Sequence, residues 1–164
     1  MNKVLFGDIE MPLEGQDFVK VGELARPFKV LRGDLSEYVF VKNKGRKTLI
    51  SVVPSLDTGI CELQTKRFYQ EVSKLENVDF LAISCDLPFA QGRFCKNAGS
   101  EDMTILSDYR DHNFGLTYGL LLQPLKLLTR AIIIIDENNI VSYIEVCPQV
   151  KSHPDYDAAL AALK

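Results

Sequence analysis

The sequence predicts an α/β fold in which helices flank a mixed central sheet. Three features support this class: a β-branched run at residues 48–53, apolar residues at helical spacing directly after it, and a second apolar run at residues 78–83. A strand, a helix and a second strand in this order form a parallel unit with a right-handed crossover. The length of 164 residues favours one domain, which we assign to residues 1–164.

Short β structure is expected before this unit. The first 45 residues contain brief apolar alternations interrupted by glycines, a pattern typical of strands and hairpins. Asn43, Lys44 and Gly45 predict a turn at the end of this region. The β-branched run that follows stops at Pro54, so it predicts a buried strand. We therefore expect the central sheet to be accompanied by an extra N-terminal β-hairpin.

The first helix is predicted directly after that strand. Apolar side chains that share one broad face of a helix occur at Ile60, Leu63, Phe68, Val72 and Leu75. Asp57 and Thr58 are suitable N-cap residues, and Glu62 favours the first helical turn. This interpretation places Cys61 in the first turn of the helix.

The rest of the chain alternates in the same way. The sequence predicts a second buried strand at residues 78–83 and a short helix at residues 88–95. It then predicts a hairpin of two strands at residues 131–135 and 140–146, and a terminal helix at residues 154–163. Pro88 opens the short helix because proline suits the first helical position. Residues 136–139 supply the turn of the hairpin. This succession of elements is the one that a thioredoxin-like fold requires.

Charge and apolar patterning exclude several kinds of partner. With 22 acidic and 19 basic residues the net charge is −3, so the chain lacks the basic surface of proteins that bind nucleic acids or anionic membranes. The most apolar stretch contains Lys126 and Arg130, and Pro124 would break a helix there, so we expect no membrane span. The first residues form no apolar run of signal length, so we expect a cytoplasmic protein.

Cysteine is the residue type that stands out, at Cys61, Cys85, Cys95 and Cys147. In a reducing compartment such a set indicates metal binding or redox chemistry rather than structural disulfides. The separations of 24, 10 and 52 residues contain no close pair of the kind that zinc sites use, and the C-x-x-C motif is absent. No dinucleotide, haem or phosphate-binding motif is present, so we expect neither a metal nor another cofactor.

Cys61 is the strongest candidate for a reactive thiol. At the start of a helix, free backbone N–H groups and the positive end of the helix dipole favour a thiolate, which is the nucleophilic form. Thr58, three residues earlier, could hydrogen-bond beside the sulfur. Taken residue by residue, purely structural roles remain open. Cys61 could be a packed cysteine, Pro54 a strand terminator and Thr58 a helix cap. Arg130 could be a polar residue entering a sheet edge.

A family resemblance bears on these alternatives. Residues 54–61, Pro-Ser-Leu-Asp-Thr-Gly-Ile-Cys, resemble the peroxidatic signature of peroxiredoxins, Pro-x-x-x-(Thr/Ser)-x-x-Cys. More narrowly, the chain resembles the bacterial thiol peroxidase family, the atypical two-cysteine peroxiredoxins. Segments that match this family occur at residues 51–68, 86–91, 93–95, 106–108, 127–131 and 155–160.

The resemblance implies a role for each site residue. Cys61 would be the peroxidatic cysteine, and Cys95 would resolve its sulfenic acid as an intramolecular disulfide. Pro54 would shield the sulfur from water, Thr58 would orient the peroxide, and Arg130 would hold the thiolate and polarise the O–O bond. Because a disulfide needs Cα atoms about 5.5–6 Å apart, we expect local unwinding around both cysteines before the bond closes.

The resemblance also implies substrates and partners. The substrates would be hydrogen peroxide and organic hydroperoxides, a thioredoxin-like protein would supply the reducing equivalents, and the protein would form a homodimer. The segment Asp108–Tyr118, with Phe114 and Tyr118, is a candidate interface and equally a candidate core loop. The main rival function is a redox sensor that uses the same cysteine without turnover. Outside the catalytic pair, we expect Cys85 to be a packed thiol and Cys147 to be accessible.

Overall fold

The computed structural model describes residues 2–42 and 45–164. The strands in chain order are β1 Lys3–Phe6, β2 Ile9–Glu14, β3 Phe28–Leu31, β4 Glu37–Phe40, β5 Lys47–Val52, β6 Val78–Ser84, β7 Ile105–Ser107, β8 Leu121–Leu122, β9 Leu127–Leu128, β10 Ala131–Ile135 and β11 Val141–Val146. The helices are α1 Gly59–Val72, α2 Pro88–Asn97, α3 Asn113–Tyr118 and α4 Tyr156–Ala161. The turn predicted at Asn43 and Lys44 falls on positions outside the described residues.

The central sheet has seven strands in the order β11-β10-β5-β6-β7-β3-β4. The three middle strands, β5, β6 and β7, run parallel, and the pairs on either side of them are antiparallel. Helix α1 connects β5 to β6, which confirms the predicted parallel unit. The hairpin of β10 and β11 is also confirmed, and it joins the sheet beside β5.

The N-terminal β structure divides between two sheets. Strands β1 and β2 form the expected hairpin, which belongs to a separate four-stranded sheet with β8 and β9. Strands β3 and β4 form a second hairpin at the edge of the central sheet. The sequence did not predict β7, α3, β8 or β9. These elements have two to six residues each, which is too short to display a periodic apolar pattern.

The small sheet also holds a loop that precedes α4. The backbone N–H of Leu5 donates to the carbonyl of Pro148 over 2.8 Å, and the N–H of Val150 donates to the carbonyl of Leu5 over 2.8 Å. The side chain of Gln149 exchanges two hydrogen bonds with the backbone of Gly7. The first strand of the chain therefore fixes residues 148–150, on which one of the site residues depends.

Two details of the predicted helices are wrong. Leu63 was expected on the buried face of α1, but 57% of it is exposed, because the helix turns Gln64 and Thr65 toward the sheet instead. The terminal helix is α4 at Tyr156–Ala161 and is shorter than predicted, since Asp155 caps its start by accepting from the backbone N–H of Ala158. None of the helices in the described residues has the length and apolar content needed to cross a bilayer.

Candidate active site

Cys61 lies in the first turn of α1, as predicted, and its residue is only 1% exposed. The helix begins just after the loop that leaves β5, so its N-terminus stands at the carboxyl end of a central strand. The hydroxyl of Thr65 donates to the carbonyl of Cys61 over 2.8 Å, which holds the first turn in helical form. The sulfur is therefore enclosed at a helix N-terminus, where the dipole favours negative charge.

Arg130 reaches Cys61 because of strand register. It directly precedes β10, whose first residue, Ala131, pairs with Val52 near the end of β5. The Nη2 group of Arg130 donates to the sulfur of Cys61 over 3.3 Å, and the residue is 3% exposed. A buried guanidinium that donates to a thiol sulfur stabilises negative charge there, since it is always protonated. The structure thus brings together two residues that are 69 positions apart in the chain.

Two further contacts fix the guanidinium. Its Nε group donates to the carbonyl of Val150 over 2.8 Å, and its Nη1 group donates to Oε1 of Gln64 over 2.8 Å. The amide nitrogen of Gln64 in turn donates to the hydroxyl of Ser51 over 2.9 Å. Gln64 and Ser51 are both fully buried, so this chain of hydrogen bonds is closed to solvent. Arg130 is consequently held in one orientation by three acceptors.

Pro54 and Thr58 occupy the loop between β5 and α1. Pro54 is buried two residues after the end of β5. Thr58 is the N-cap residue of α1 with an extended backbone, but its side chain makes no capping hydrogen bond. Its hydroxyl is exposed and makes one long contact, of 3.4 Å, to the carbonyl of Ser55. The Thr58 hydroxyl is therefore accessible for hydrogen bonding to a ligand.

Cys95 lies on α2, and its thiol is free, as is that of Cys61. It lines a cavity of about 360 Å³ together with Gly33, Glu101 and Met103. Burial, followed by the carboxylates of Asp102 and Glu101, raises the pKa of the Cys95 thiol. Both cysteines occupy intact helices, and unwinding before a disulfide forms stays a prediction.

A second cavity, of about 350 Å³, lies between the start of α1 and the other side of α2. Its wall includes Leu56 and Lys66 on the α1 side and Arg93 and Phe94 on the α2 side. Neither cysteine lines this cavity. Cys95 lines the cavity that borders Met103 instead.

The remaining cysteines are both packed. Cys85 is partly buried against the core, and burial together with Asp108 raises the pKa of its thiol to about 12. Cys147 was expected to be accessible, but it is 2% exposed; it directly follows β11, and its backbone N–H donates to the carbonyl of Arg130 over 3.0 Å. Burial, followed by Glu145, raises the pKa of Cys147 to about 12. Among the described residues, no three His, Cys, Asp or Glu side chains converge as a metal site.

The candidate interface segment, Asp108–Tyr118, contains helix α3. Phe114 and Tyr118 are fully buried in the single chain and stack on one another at 5.0 Å between ring centroids. They therefore belong to the core, which was the alternative interpretation of this segment. A contact with another copy would have to use outward-facing side chains such as Leu116, which is 36% exposed.

Comparison with known proteins places the chain in a family. The Redoxin family profile matches residues 20–160. A thiol peroxidase from Oceanobacillus iheyensis is 46% identical over 163 residues, covering 99% of both chains. The chain belongs to the thiol peroxidase family of peroxiredoxin-type enzymes. The resemblance noted in the sequence is thereby confirmed.

Solved structures of relatives share the fold. A peroxiredoxin-like protein from Aquifex aeolicus superimposes with a TM-score of 0.89 at 34% identity, covering 98% of this chain and 95% of that one. A thiol peroxidase from Chromobacterium violaceum gives a TM-score of 0.87 at 22% identity over 98% of this chain and 94% of that one, which speaks for the fold alone. The predicted thioredoxin-like α/β class is confirmed.

Three residues of the site were not identified from the sequence. Gln64 follows Cys61 by three positions, so helical spacing alone would have placed its polar side chain beside the sulfur. Ser51 lies in an apolar strand and is visible only as a polar interruption of that run. Val150 acts through its carbonyl oxygen, and no feature of its side chain could have revealed that contact.

Proposed function

We propose that the protein reduces hydrogen peroxide and organic hydroperoxides with Cys61 and Cys95. The observation that carries this proposal is the 3.3 Å contact between the Arg130 guanidinium and the Cys61 sulfur, both of them buried residues. A thiolate held beside a fixed cation is poised for nucleophilic attack, and the same cation offers donors to the substrate oxygens. The proposed setting is a cytoplasmic homodimer.

In the first step the Cys61 thiolate attacks one oxygen of the hydroperoxide. An S–O bond forms, the O–O bond breaks, and the leaving alkoxide or hydroxide takes up a proton to become an alcohol or water. Arg130 stabilises the negative charge that develops on the leaving oxygen. Thr58 orients the peroxide through its hydroxyl, while Pro54 keeps water from the sulfur. The product is a sulfenic acid on Cys61.

In the second step the Cys95 thiol condenses with this sulfenic acid. An S–S bond forms, the S–O bond breaks, and the hydroxyl leaves as water with the proton of the thiol. A thioredoxin-like dithiol then attacks the disulfide and is itself oxidised to a disulfide, which returns both cysteines to thiols. The contact between Cys61 and Arg130 supports the first step, and the solvent-facing cavity beside Cys95 supports access for a reductant.

The test is peroxide-dependent oxidation of reduced thioredoxin, followed over many turnovers. The wild-type protein should turn over repeatedly, and Cys61→Ser should abolish activity because the nucleophile is lost. Cys95→Ser should consume one peroxide per chain and then stall as a sulfenic acid. Mass mapping after one equivalent of peroxide should find the Cys61–Cys95 disulfide.

Two outcomes would contradict the proposal. A single stoichiometric oxidation of the wild-type protein without turnover would indicate the rival function, a redox sensor. Full steady-state activity of Cys95→Ser would show that another thiol resolves the sulfenic acid. Cys85→Ser serves as the matched control, since that buried thiol should be dispensable.

A further inference from the structure

Asp86 binds the loop that leads into Cys61. Its Oδ1 atom accepts from the hydroxyl of Ser55 over 2.7 Å, and its Oδ2 atom accepts from the backbone N–H of Leu56 over 2.7 Å. Asp86 itself follows β6, and its backbone carbonyl accepts from the hydroxyl of Ser107 at the end of β7. A carboxylate anchored to the central sheet therefore holds the segment between Pro54 and α1.

The same carboxylate is connected to α2. Oδ2 of Asp86 also accepts from the hydroxyl of Ser84 over 2.7 Å. That hydroxyl accepts from the side-chain amide of Gln91 on α2 over 3.0 Å, and the same amide donates to the carbonyl of Leu106 over 2.9 Å. Ser84 and Gln91 are both buried. The loop of Cys61 and the helix of Cys95 are thus fastened to one polar cluster, Ser55, Ser84, Asp86 and Gln91.

We infer that Asp86 is a positioning residue that favours the peroxide step and opposes the disulfide step. This inference rests on the proposed function of Cys61 and Cys95. Holding the loop keeps Cys61 against Arg130, where it can attack a peroxide. Both cysteines must leave their helical positions to bond to one another, so the contacts that hold the loop and α2 must break first.

The charge of the Asp86 carboxylate strengthens the hydrogen bonds that hold the loop. Hydrogen bonds to an ionised carboxylate are shorter and stronger than bonds between neutral groups, and Asp86 accepts three of them. Removing one such contact to the loop should shift the balance between the closed and the unwound segment by about tenfold. The two chemical steps should respond in opposite directions, a pattern that a general loss of folding would not produce.

The experiment compares Ser55→Ala and Asp86→Asn with the wild type in two rate measurements. Oxidation of Cys61 is followed in a Cys95→Ser background by trapping the sulfenic acid and measuring its mass. Disulfide formation is followed with Cys95 present, after rapid mixing with saturating peroxide. In both variants we expect disulfide formation to quicken by about tenfold, because it proceeds from the minor unwound form, and oxidation of Cys61 to slow by a smaller factor, because the closed form remains the major one.

The matched control is Asp79→Asn. It makes the same change of charge on the same strand, β6, at the end far from Asp86, where Asp79 forms an exposed ion pair with Arg46 over 2.9 Å. This variant should leave both rates unchanged. If the variants in the cluster match this control, or if both of their rates fall together, Asp86 has no positioning role.

Amide hydrogen exchange gives a readout that does not depend on the chemistry. The N–H of Leu56 donates directly to Asp86, so its exchange should quicken by about tenfold in Asp86→Asn. Unchanged exchange would overturn the inference. If exchange quickens while the wild-type protein forms no Cys61–Cys95 disulfide, the attachment stands and the proposed function fails.

Discussion

Arg130 satisfies three acceptors at once, which a guanidinium can do because its N–H groups form a rigid planar fork. Its three nitrogens donate one hydrogen bond each, to the carbonyl of Val150, to Oε1 of Gln64 and to the sulfur of Cys61. Lysine carries the same charge on a single compact ammonium at the end of a flexible stem. It cannot span this arrangement in a fixed orientation.

Arg130→Lys should therefore slow the oxidation of Cys61 by about a hundredfold, since one preorganised donor at a developing charge contributes on that order. Rapid-mixing kinetics with hydrogen peroxide measure the rate. The control is Arg46→Lys, at an exposed ion pair away from the pocket, which should react like the wild type. A rate for Arg130→Lys within threefold of the wild type would show that charge alone is sufficient.

Asp108 is a buried carboxylate whose stability contribution depends on pH. Burial raises its pKa from 3.8 to about 6, although the backbone N–H groups of Phe114 and Gly115 donate to its two oxygens. The folded protein therefore binds more protons than the unfolded chain between about pH 4 and pH 6. The contribution of this group to stability is highest below that window and is lost as the pH rises through it.

Asp108→Asn should remove this dependence. The free energy of unfolding of the wild type, minus that of the variant, should fall by roughly 2 kcal/mol between pH 4 and pH 7. Urea unfolding at both pH values measures the difference, and the exposed Asp17→Asn variant is the control. A difference that does not vary with pH would mean that Asp108 titrates in the fold as it does in the unfolded chain.

At the scale of elements, α2 combines a stable start with a weak middle. Pro88 occupies its first position, and Gly92 lies in its interior, where a Cβ would meet no atom within 4 Å. Nothing in the surrounding packing requires glycine there. Because glycine disfavours a helix by about 1 kcal/mol relative to alanine, Gly92 makes unwinding of the helix that carries Cys95 easier.

Gly92→Ala should strengthen α2 and so slow disulfide formation by about fivefold. The sulfenic acid on Cys61 would persist, and more of it should be oxidised further to sulfinic acid at high peroxide. Mass spectrometry of peroxide-treated protein measures both products. Gly33→Ala is the control, because Gly33 also faces open space and lines the Cys95 cavity but lies outside any helix. An equal effect in both variants would contradict a helix-based cause.

Long elements were predictable because each displays its own pattern. The runs that became β5, β6 and β10 are continuous and apolar, and α1 shows its helical spacing together with a polar start. The dipeptide strands β8 and β9 form only because Leu121 and Leu122 pair with Leu128 and Leu127 and with β2. The pairing with β2 depends on residues far away in the sequence, so no local pattern predicts these two strands.

Prediction of the site was limited in the same way, to residues that a sequence motif marks. Cys61, Thr58 and Pro54 were identified because they share one short motif, and Arg130 was assigned through the family resemblance. The residues that fix Arg130 are a glutamine, a serine and a backbone carbonyl, whose positions only the folded chain defines. Asp86 belonged to a matching segment, but its contacts to Ser55 and Leu56 could not be derived from that match.

At the scale of the molecule, the central sheet draws on the whole chain. Hairpin β3–β4 lies at one edge, hairpin β10–β11 lies at the other, and the parallel strands stand between them. Removing either hairpin would expose a neighbouring strand edge and part of the core. We therefore predict one cooperative unfolding transition, as expected of a single domain.

Far-ultraviolet circular dichroism and tyrosine fluorescence should give coincident urea curves, since the chain has six tyrosines and no tryptophan. Tyr118 reports the core beneath the central sheet, and Tyr156 reports the α4 side. Two separated transitions would instead indicate that part of the chain unfolds as an independent unit.

The bonding between β1 and residues 148–150 determines where the chain tolerates fusion to another protein. Leu5 is bound on both sides by the loop whose Val150 carbonyl orients Arg130, so the residues just before Leu5 are one loop away from the reactive sulfur. A bulky N-terminal fusion would strain that loop and misalign the guanidinium. Lys164, at the exposed opposite terminus, is the better point of attachment for an affinity tag or a fluorescent reporter.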